Sequence, residues 1–455
     1  MQVEYGAAPL DLNLTSELCT FLAEMSFHDL SDAAVHEARR GVLDWLGCAL
    51  AGSQHGTIAK LLNVLTGLSG GGTHSVFGYS TGLGLLDASI ANGQMGHVLD
   101  FDDTHMDGVI LHTSSPVLAA LLALAESRPV DGQTFIAAYA CGFEAGVRVG
   151  KSAPSHHDGG WHLTGTLGTV AAGLACGRQI GLDSQALTYV AGIAATQASG
   201  MQQNRGTMCK SFHAGRAASN GILASLLAES GFDSSTEIVE GKRGFARIYS
   251  VDSEVDALTA NLGADWAICG NGYKPYACGV VQHALIDAMI ALSRDHSIDP
   301  MEIETVSAQV HPGVIRITGV EAPGTGLKSK FSLTHSAAVA FIDRNASVEQ
   351  YSDKRATADD VGQLRSKIQV QAIDSFRKDE AAVTITLRSG AQVSTHIEHA
   401  SGTVDNPMSD GALERKFLDN AGSVISAQAA QQLLESIWQL EKLPDVGVLG
   451  QLCRV

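Results

Sequence analysis

Residues 203–218 read QNRGTMCKSFHAGRAA, and the prediction of the fold starts from this stretch. No Asp or Glu occurs between Asp183 and Glu229, although the whole chain has a formal net charge of −18. The Gly and Ala residues between the cations suit close backbone packing better than a hydrated surface. The stretch therefore predicts a buried helix with a cationic strip that binds a small anion. The basic side chains of the strip are Arg205, Lys210, His213 and Arg216.

The composition is that of a globular protein with a large core. The 455 residues are 45% apolar and 17% charged, and at roughly 150 residues per domain the length allows about three domains. The excess of acidic residues argues against nucleic acid and an anionic membrane as partners, because both bind basic surfaces. A small acidic substrate remains compatible with the negative net charge, because its binding depends on the local electrostatic field at the site.

The cysteines and the N-terminus predict a cytoplasmic location. The eight cysteines show no CxxC or other paired spacing, which favours reduced thiols. Residues 1–12, MQVEYGAAPLDL, lack the basic segment and apolar core of a signal peptide. Residues 184–204 are uncharged, but their Gln, Asn and Thr side chains favour a buried helix over a membrane span.

Apolar residues recur at helical spacing along most of the first 260 positions, which contain no convincing strand pattern. Near Cys269 the pattern changes, and alternating residues predict strands and a hairpin. We therefore predict a mainly α fold with a large all-helical domain built from both chain ends, residues 1–267 and 405–455. A smaller α+β lid domain, residues 268–404, is inserted between them. Helices are predicted at 14–25, 35–49, 85–98, 115–126, 132–150, 162–180, 183–198, 211–230, 280–293, 331–344, 358–366 and 409–443, and strands at 305–311, 369–373, 381–387 and 393–399.

Three glycine-containing motifs would indicate nucleophilic or phosphate chemistry, and the sequence matches one of them. Residues 78–82 read GYSTG and match GxSxG, but a nucleophile elbow requires a buried strand before the Ser, and the surroundings here are helical. The chain has no GxxxxGK[ST] and no GxGxxG after a strand. The sequence therefore predicts neither a hydrolase nor a nucleotide-binding site.

Residues 100–107, DFDDTHMD, place four acids and a His in eight positions. Such residues can bind a divalent cation, although His105 stands where an EF-hand loop requires Gly. The segment could also be a solvated turn with helix caps. We rank a catalytic loop with one carboxylate as acid or base first, the turn second and the metal site third.

Two further segments carry candidate polar groups. His162 opens an apolar helix, and a helix N-terminus favours a neutral imidazole that can shuttle protons. Taken alone, a His in such a position is more often structural. If Lys210 and a carboxylate lie nearby, His162 becomes a candidate acid or base. Lys274 lies at the predicted domain boundary, where small-molecule sites usually occur.

Taken in order, these segments resemble the MmgE/PrpD family along nearly the whole chain. The residues that carry the resemblance are Asn92-Gly93 with His97, 100–104, Gly160-Trp161-His162 with Thr164, 206–210, His213-Ala214-Gly215, Lys274-Pro275-Tyr276 with Cys278 and His283, and Phe331-Ser332-Leu333. The resemblance implies a helical domain formed by both chain ends, an α/β lid and a homodimer. It also implies a small polycarboxylate substrate and no metal or organic cofactor. The family's active-site positions fall on Asp100, Thr104, His112, His162, Lys210 and Lys274.

Two departures from the family pattern lie in the predicted lid. His335 follows Thr334 where the family commonly has Tyr, and Ala277 and Gly279 replace a Pro and a basic residue in the loop after Lys274. We expect both departures to face the substrate, which argues against dehydration and decarboxylation.

The expected chemistry is removal or return of a proton at a carbon next to a carboxylate, which requires a placed base and cations. We expect Lys210 to be one acid or base, its pKa lowered by Arg205, Arg216 and His213. His162 would be the second, oriented or assisted by Asp100. The substrate carboxylates would be bound by Thr104, His112, Lys274, Arg205, His213 and His335.

The main functional prediction is a cofactor-independent epimerase of an amino-linked dicarboxylate such as iminodisuccinate. Two proton-transfer groups would allow removal on one face and delivery on the other. The first alternative is a dehydratase or decarboxylase of a citrate- or aconitate-like acid. The second is a non-catalytic carboxylate-binding protein.

Overall fold

The structure is a computed structural model that describes residues 13–455, so the segment examined for a signal peptide lies outside it. The fold is mainly α, as predicted. Within residues 13–455, every helix is too short or too polar to cross a membrane.

Between residues 13 and 250 the structure has ten α-helices. They are α1 (Leu14–Glu24), α2 (Asp32–Ser53), α3 (Gly56–Ser69), α4 (Leu85–Val98), α5 (Ser114–Ser127), α6 (Gly132–Lys151), α7 (Leu163–Gln179), α8 (Ser184–Ala195), α9 (Met208–Glu229) and α10 (Phe245–Tyr249). The helix α3 was not predicted. The helix α9 begins three residues earlier than predicted, because extended Thr207 is its N-cap, and this start places Lys210 in the first turn.

Short β-segments interrupt the helical region. Strands β1 (His74–Ser75) and β2 (Gly82–Leu83) pair with each other, and β3 (Thr104–His105) pairs with β4 (Asn271–Gly272). The GYSTG motif is therefore the connection between two short strands, without the long buried strand of a nucleophile elbow. The sequence pattern missed all four strands, because two residues are too few to show alternation.

The region after residue 280 combines helices with one larger sheet. Its strands are β5 (Ile303–Val310), β6 (Ile368–Ala372), β7 (Ala381–Leu387) and β8 (Gln392–Ile397), in the order β6-β5-β7-β8. Only the β5–β6 pair is parallel. The accompanying helices are α11 (His283–His296), α12 (Pro312–Ile317), α13 (Gly326–Ser329), α14 (Leu333–Asp343), α15 (Asp353–Ala356) and α16 (Asp359–Arg365), followed by α17 (Asp410–Ala421), α18 (Ala427–Trp438) and α19 (Gly447–Leu452).

The buried hydrophobic side chains form two clusters. One cluster draws on positions 14–273 and returns with residues 413–453. The other is built mainly from positions 277–400. We propose that these clusters are the cores of the two domains predicted from the sequence, although the first cluster extends past the predicted boundary at 268 to Tyr273.

Glycines let α9 approach α4 closely, as the small residues of the opening stretch suggested. A Cβ atom on Gly93 of α4 would lie 2.8 Å from Cα of Gly215 on α9. A larger residue at either position would push the helices apart, because real Cβ atoms do not approach that closely. This contact brings the first turn of α9, with Lys210, towards the loop that follows α4.

Candidate active site

One cavity of about 70 Å³ collects most of the predicted site residues. Its wall combines the α4–α5 loop, the starts of α7 and α9, and residues 274–281 with Ile317 and Phe331. The residues that line it are Asp100, Ile110, His112, His157, His162, Leu163, Arg205, Lys210, Lys274, Gly279, Val280, Val281, Ile317 and Phe331. The cavity thus lies where the two hydrophobic clusters meet, as expected for a small-molecule site.

Asp100 forms ion pairs with two lysines. Its Oδ1 lies 2.8 Å from Nζ of Lys274, and its Oδ2 lies 3.2 Å from Nζ of Lys210. Asp100 has a φ of 51°, a left-handed conformation that Asp adopts more readily than most residues. Asp100 was predicted to orient or assist His162, but both of its carboxylate oxygens face lysines rather than this ring, and an assisting role stays a prediction.

The three charged groups differ in how readily they exchange protons. Burial raises the pKa of Asp100, but the two lysines outweigh burial and hold it well below its ordinary value. Burial lowers the pKa of Lys274, yet Asp100 reverses the shift and raises it. The pKa of Lys210 is lowered, by burial first and then by Lys274, against the effect of Asp100. Lys274 is thus a fixed cation, whereas Lys210 loses its proton more easily and suits proton transfer.

The direction of the Lys210 shift agrees with the sequence prediction, but the cause differs. Burial and Lys274 lower the pKa, whereas Arg216 is exposed and donates a hydrogen bond to Asn220 Oδ1 at 2.9 Å. The two charges that dominate at Lys210, those of Asp100 and Lys274, are far from it in sequence. A local sequence pattern could not rank them.

His112 presents a bare nitrogen to the cavity. Its Nδ1 lies 3.0 Å from the carbonyl oxygen of Asp103, and a carbonyl can only accept, so this nitrogen carries the proton. Thr104 Oγ1 is also 3.0 Å from Nδ1. The pKa of His112 is held well below its ordinary value, by burial first and then by Lys274. The Nε2 of His112 is therefore an acceptor in a neutral ring.

Thr104 supports this arrangement from outside the cavity lining. It is completely buried, and as part of β3 it pairs with Gly272 of β4. Lys274 follows two residues after Gly272, so the small β3–β4 ladder ties the segment that carries Lys274 to Thr104, the hydrogen-bond partner of His112. Thr104 does not line the cavity as a substrate-binding residue, contrary to the sequence prediction, and instead positions His112.

His162 and His213 form a pair of rings. His162 is the N-cap residue of α7, and its Nδ1 lies 2.9 Å from Nδ1 of His213 on α9. Burial lowers both pKa values, that of His213 to about 4 and that of His162, next to Lys210, well below its ordinary value. Both rings are neutral at pH 7. His162 lines the cavity, whereas His213 lies behind it and fixes its orientation rather than binding substrate as predicted.

Arg205 is the third cation of the cavity. Its Nη2 lies 3.3 Å from Nε2 of His157, which also lines the cavity. Among residues 13–455, no carboxylate forms an ion pair with Arg205. An unpaired guanidinium in a cavity wall is suited to a ligand carboxylate. The sequence prediction did not include His157, because nothing in its local pattern separates it from His156.

The substitutions in the lid were expected to face the substrate, and only one of them lies at the cavity. Gly279 lines the cavity. His335 is fully buried inside the lid, and its Nε2 donates a hydrogen bond to the carbonyl oxygen of Gln350 at 2.9 Å. The prediction that His335 binds substrate is therefore wrong, because α14 turns this side chain into the lid core. Ala277 is also fully buried outside the cavity lining.

The third-ranked metal site can be tested against the geometry. The possible ligand atoms of His97, Asp102 and His112 lie within 4.8 Å of one another. The Nδ1 of His97 is occupied by a 2.8 Å hydrogen bond with Asp102, and the electrostatic influence of Lys274 reaches both Asp102 and His112. Neighbouring ammonium charge disfavours a cation here. A second group, Asp379, His399 and Asp405, lies at the C-terminal boundary of the lid segment, where both acids pair with Arg377.

Fold and site together define a class of protein: a helical enzyme scaffold with an α+β lid and a cationic, imidazole-rich cavity between them. The chain belongs to the MmgE/PrpD family. The family model of the MmgE/PrpD N-terminal domain matches residues 16–258, and that of the C-terminal domain matches residues 276–442. The resemblance found in the sequence is thereby confirmed.

Curated relatives are similar to the chain over nearly their whole length. A cis-aconitate decarboxylase from Aspergillus terreus is 26% identical over 472 residues, which cover 96% of this chain and 95% of that protein. A cis-aconitate decarboxylase-like protein from Aspergillus oryzae is 26% identical, with 96% of each chain covered. The Homo sapiens cis-aconitate decarboxylase is 24% identical, with 97% and 95% covered.

Proposed function

We propose that this chain is a lyase that decarboxylates an aconitate-like tricarboxylate. The observation that carries the proposal is the cavity in which Asp100 holds Lys210 and Lys274 next to the unpaired Arg205. The names of the relatives support decarboxylation over epimerisation. The proposal therefore adopts the first alternative of the sequence prediction.

The charge of the cavity suits a polyanion. With Lys210 protonated, three cations face one carboxylate, that of Asp100. The cavity histidines are neutral because burial lowers their pKa values. The remaining positive charge would be neutralised by substrate carboxylates in a site of low dielectric constant, where such pairs are strong.

The proposed reaction begins with the carboxyl group that leaves. Only an ionised carboxylate loses CO2, and the bare Nε2 of His112 can take the proton of this group. The bond between this carboxylate and its methylene carbon then breaks, and its electron pair forms a new carbon–carbon double bond. The original alkene pair moves to the carbon next to another carboxylate.

The second half of the reaction is protonation of that carbon. Lys210 is the proposed donor, because its lowered pKa makes the ammonium a stronger acid than an ordinary lysine. Lys274 and Arg205 would stabilise the negative charge that develops on the neighbouring carboxylate. The products are CO2 and a methylene-substituted dicarboxylate, and the proton that His112 took up passes through water back to Lys210, which restores both groups.

The epimerase prediction uses the same proton donor but lacks a relative with that activity among the proteins named above. Its main structural argument was that altered lid residues face the substrate, and the buried position of His335 removes part of that argument. Dehydration and non-catalytic binding are the remaining alternatives. The three reactions have distinct products, and a binding protein forms none.

The test is to incubate the protein with cis-aconitate, a citrate-like hydroxy acid and one enantiomer of iminodisuccinate in deuterated water. We expect CO2 from cis-aconitate and one solvent deuterium in the product, both lost in Lys210→Met. Arg216→Met is the matched control, because it removes an exposed cation from the same helix. Racemisation or dehydration without CO2 release would replace the proposal, and ligand binding without turnover would favour a binding protein.

The remaining family features are part of the same proposal. We propose a homodimer, an activity that needs no metal or organic cofactor, and a cytoplasmic location. The eight cysteines are all free, which agrees with the reduced thiols predicted. Light scattering should give twice the mass of one chain, and dialysis against a chelator should leave kcat unchanged.

A further inference from the structure

His97 stands between the two cavity imidazoles without lining the cavity. It lies in the last turn of α4, with its ring centroid 4.7 Å from that of His112 and 5.5 Å from that of His162. The His97 and His162 rings are stacked at an interplanar angle of 23°. Only 1% of His97 is exposed. Any effect of His97 on a substrate must therefore pass through His112 or His162.

Asp102 fixes the proton of His97. Its Oδ2 lies 2.8 Å from Nδ1 of His97 and accepts a hydrogen bond from Ser115 Oγ at 2.8 Å. Burial raises the pKa of Asp102, but His97 and then His112 outweigh burial and hold it well below its ordinary value. An ionised carboxylate can only accept, so the proton of neutral His97 is on Nδ1 and Nε2 is bare.

The bare nitrogen is unusual for its position. His97 Nε2 is buried, and the part of the chain that the structure describes offers it no hydrogen-bond partner. Buried polar atoms are nearly always paired, and exceptions call for an explanation such as a functional role. An apolar side chain of the same volume would fill the space between His112 and His162 without burying an unpaired nitrogen.

Asp102 also reaches the proposed base. Its Oδ2 lies 3.7 Å from Nδ1 of His112, on the side of that ring away from the bare Nε2. When His112 takes up a proton at Nε2, the new positive charge forms next to this carboxylate, which stabilises it without rearrangement. Lys274 opposes the same charge, so Asp102 is the group that offsets it.

We propose that His97 and Asp102 are a positioning pair, which keeps His112 and His162 in their working orientations and places a negative charge behind His112. The inference rests on the proposed function for the role of His112. Its geometric part, the fixed tautomer and orientation of His112, is independent of the substrate.

Three variants separate this role from simple packing. His97→Phe keeps a ring but loses the hydrogen bond to Asp102. His97→Asn loses the ring but places an amide donor near the former Nδ1, and Asp102→Asn removes the charge. His156→Phe is the matched control, because His156 is a 1% exposed His outside the cavity with neither ring nitrogen paired among the described residues.

The first measurement determines kcat and KM separately, with any polycarboxylate that the wild type turns over. We expect His97→Phe and Asp102→Asn to lower kcat about 100-fold, the range of a single acid–base contribution, with KM within about threefold. His97→Asn should recover part of this loss, and His156→Phe should keep both constants. Wild-type kcat in His97→Phe would overturn the inference.

The second readout needs no turnover. In protein labelled with 15N at histidine, the His112 signals should show a single tautomer, protonated at Nδ1, in the wild type and in His156→Phe. In His97→Phe and Asp102→Asn we expect a tautomer mixture or broadened signals. An unchanged His112 tautomer in both variants would overturn the positioning role, whether or not cis-aconitate is a substrate. If one of the two variants does not fold, the spectra of the other and of His97→Asn decide the question.

Discussion

Lys210 and Asp100 form a buried ion pair, with Nζ 3.2 Å from Oδ2, that joins the first turn of α9 to the loop after α4. The other oxygen of Asp100 is 2.8 Å from Nζ of Lys274. One carboxylate thus separates two ammonium groups in a region that water scarcely reaches. We therefore expect the fold to depend on this carboxylate for stability, and the proposed proton transfer to depend on the opposite pKa shifts of the two lysines, lowered at Lys210 and raised at Lys274.

Asp100→Asn should destabilise the fold by about 3–5 kcal/mol, because removing one partner leaves buried charges uncompensated. Urea denaturation measures the loss. The control is Asp107→Asn, since the exposed Asp107 lies 3.4 Å from the exposed Lys151 and such pairs contribute at most about 1 kcal/mol. Equal stability losses in the two variants would contradict the role given to Asp100.

The pH dependence of kcat/KM should report Lys210 on the basic side. The proposed donor must be protonated, so activity should fall as the pH rises through the pKa of Lys210. Burial and Lys274 lower this pKa below its ordinary value of 10.5. Lys274→Met removes one cause of the lowering, so the residual activity should decline at a higher pH than in the wild type. Lys151→Met serves as the control for loss of a distant cation. A basic limb that does not move would assign the titration to another group.

On the acidic side, His112 must be neutral to act as a base. Burial and Lys274 hold its pKa well below 6.5, so kcat/KM should stay constant as the pH falls through 6.5 and decline only at lower pH. Rate measurements down to pH 5 check this expectation. A decline centred at pH 6.5 would show that an unperturbed imidazole controls the rate.

Arg205→Gln should identify the carboxylate that the unpaired guanidinium binds. We expect KM for a tricarboxylate to rise about 10–100-fold, because a charge-assisted contact to a carboxylate is lost. A dicarboxylate analogue that lacks the contacted group should show little change. Arg216→Gln controls for charge on the same stretch. An equal rise for both substrates would place Arg205 outside the discriminating contacts.

The helices and the larger sheet could be predicted because their patterns are long enough to read. Apolar spacing located α5, α6 and α7 to within a few residues, and alternation located β5 and β7. The β3–β4 ladder has only two residues per strand, so no period could show it. That ladder nevertheless pairs Thr104, which contacts His112, with Gly272, two residues before the cavity residue Lys274.

The candidate site residues were predicted by type and by family resemblance, but their hydrogen-bond and ion-pair partners were not. The sequence predicted that Asp100 orients or assists His162, whereas in the structure Asp100 forms ion pairs with two lysines from distant segments. It placed His335 at the substrate, although α14 directs this ring into the lid core. Which side of a helix faces a cavity depends on packing between domains, and a single sequence carries little information about that.

His213→Phe should weaken catalysis through His162. The 2.9 Å contact between the two Nδ1 atoms fixes the His162 ring, and Phe keeps a ring of similar size without that contact. We expect kcat to fall about tenfold or more with little change in stability or KM. His213→Asn, which offers an amide to the same nitrogen, should recover part of the loss. Equal rates in the wild type and His213→Phe would reduce His213 to a packing residue.

Asp103 should make the protein less stable as the pH rises towards 8. Burial and then Asp44 raise its pKa to about 8, while hydrogen bonds from Ser114 and Asn271 oppose the shift without cancelling it. Two further groups face Asp103. The charge of Asp102 raises the pKa of Asp103. The pKa of Tyr139 is itself raised by burial and by Asp103.

The sign of the effect follows from proton binding. In the unfolded chain Asp103 ionises near its ordinary value of 3.8, whereas in the folded chain it keeps its proton up to about pH 8. Between these values the folded state binds the extra proton, so each rise of one pH unit costs about 1.4 kcal/mol of stability, and the loss levels off above pH 8. Asp103→Asn cannot ionise and keeps an acceptor for both donors. The difference in unfolding free energy between this variant and the wild type should therefore grow from pH 6.5 to 8 and then stay constant. A difference that is independent of pH would show that Asp103 is ionised in the folded protein, held by the hydrogen bonds of Ser114 and Asn271.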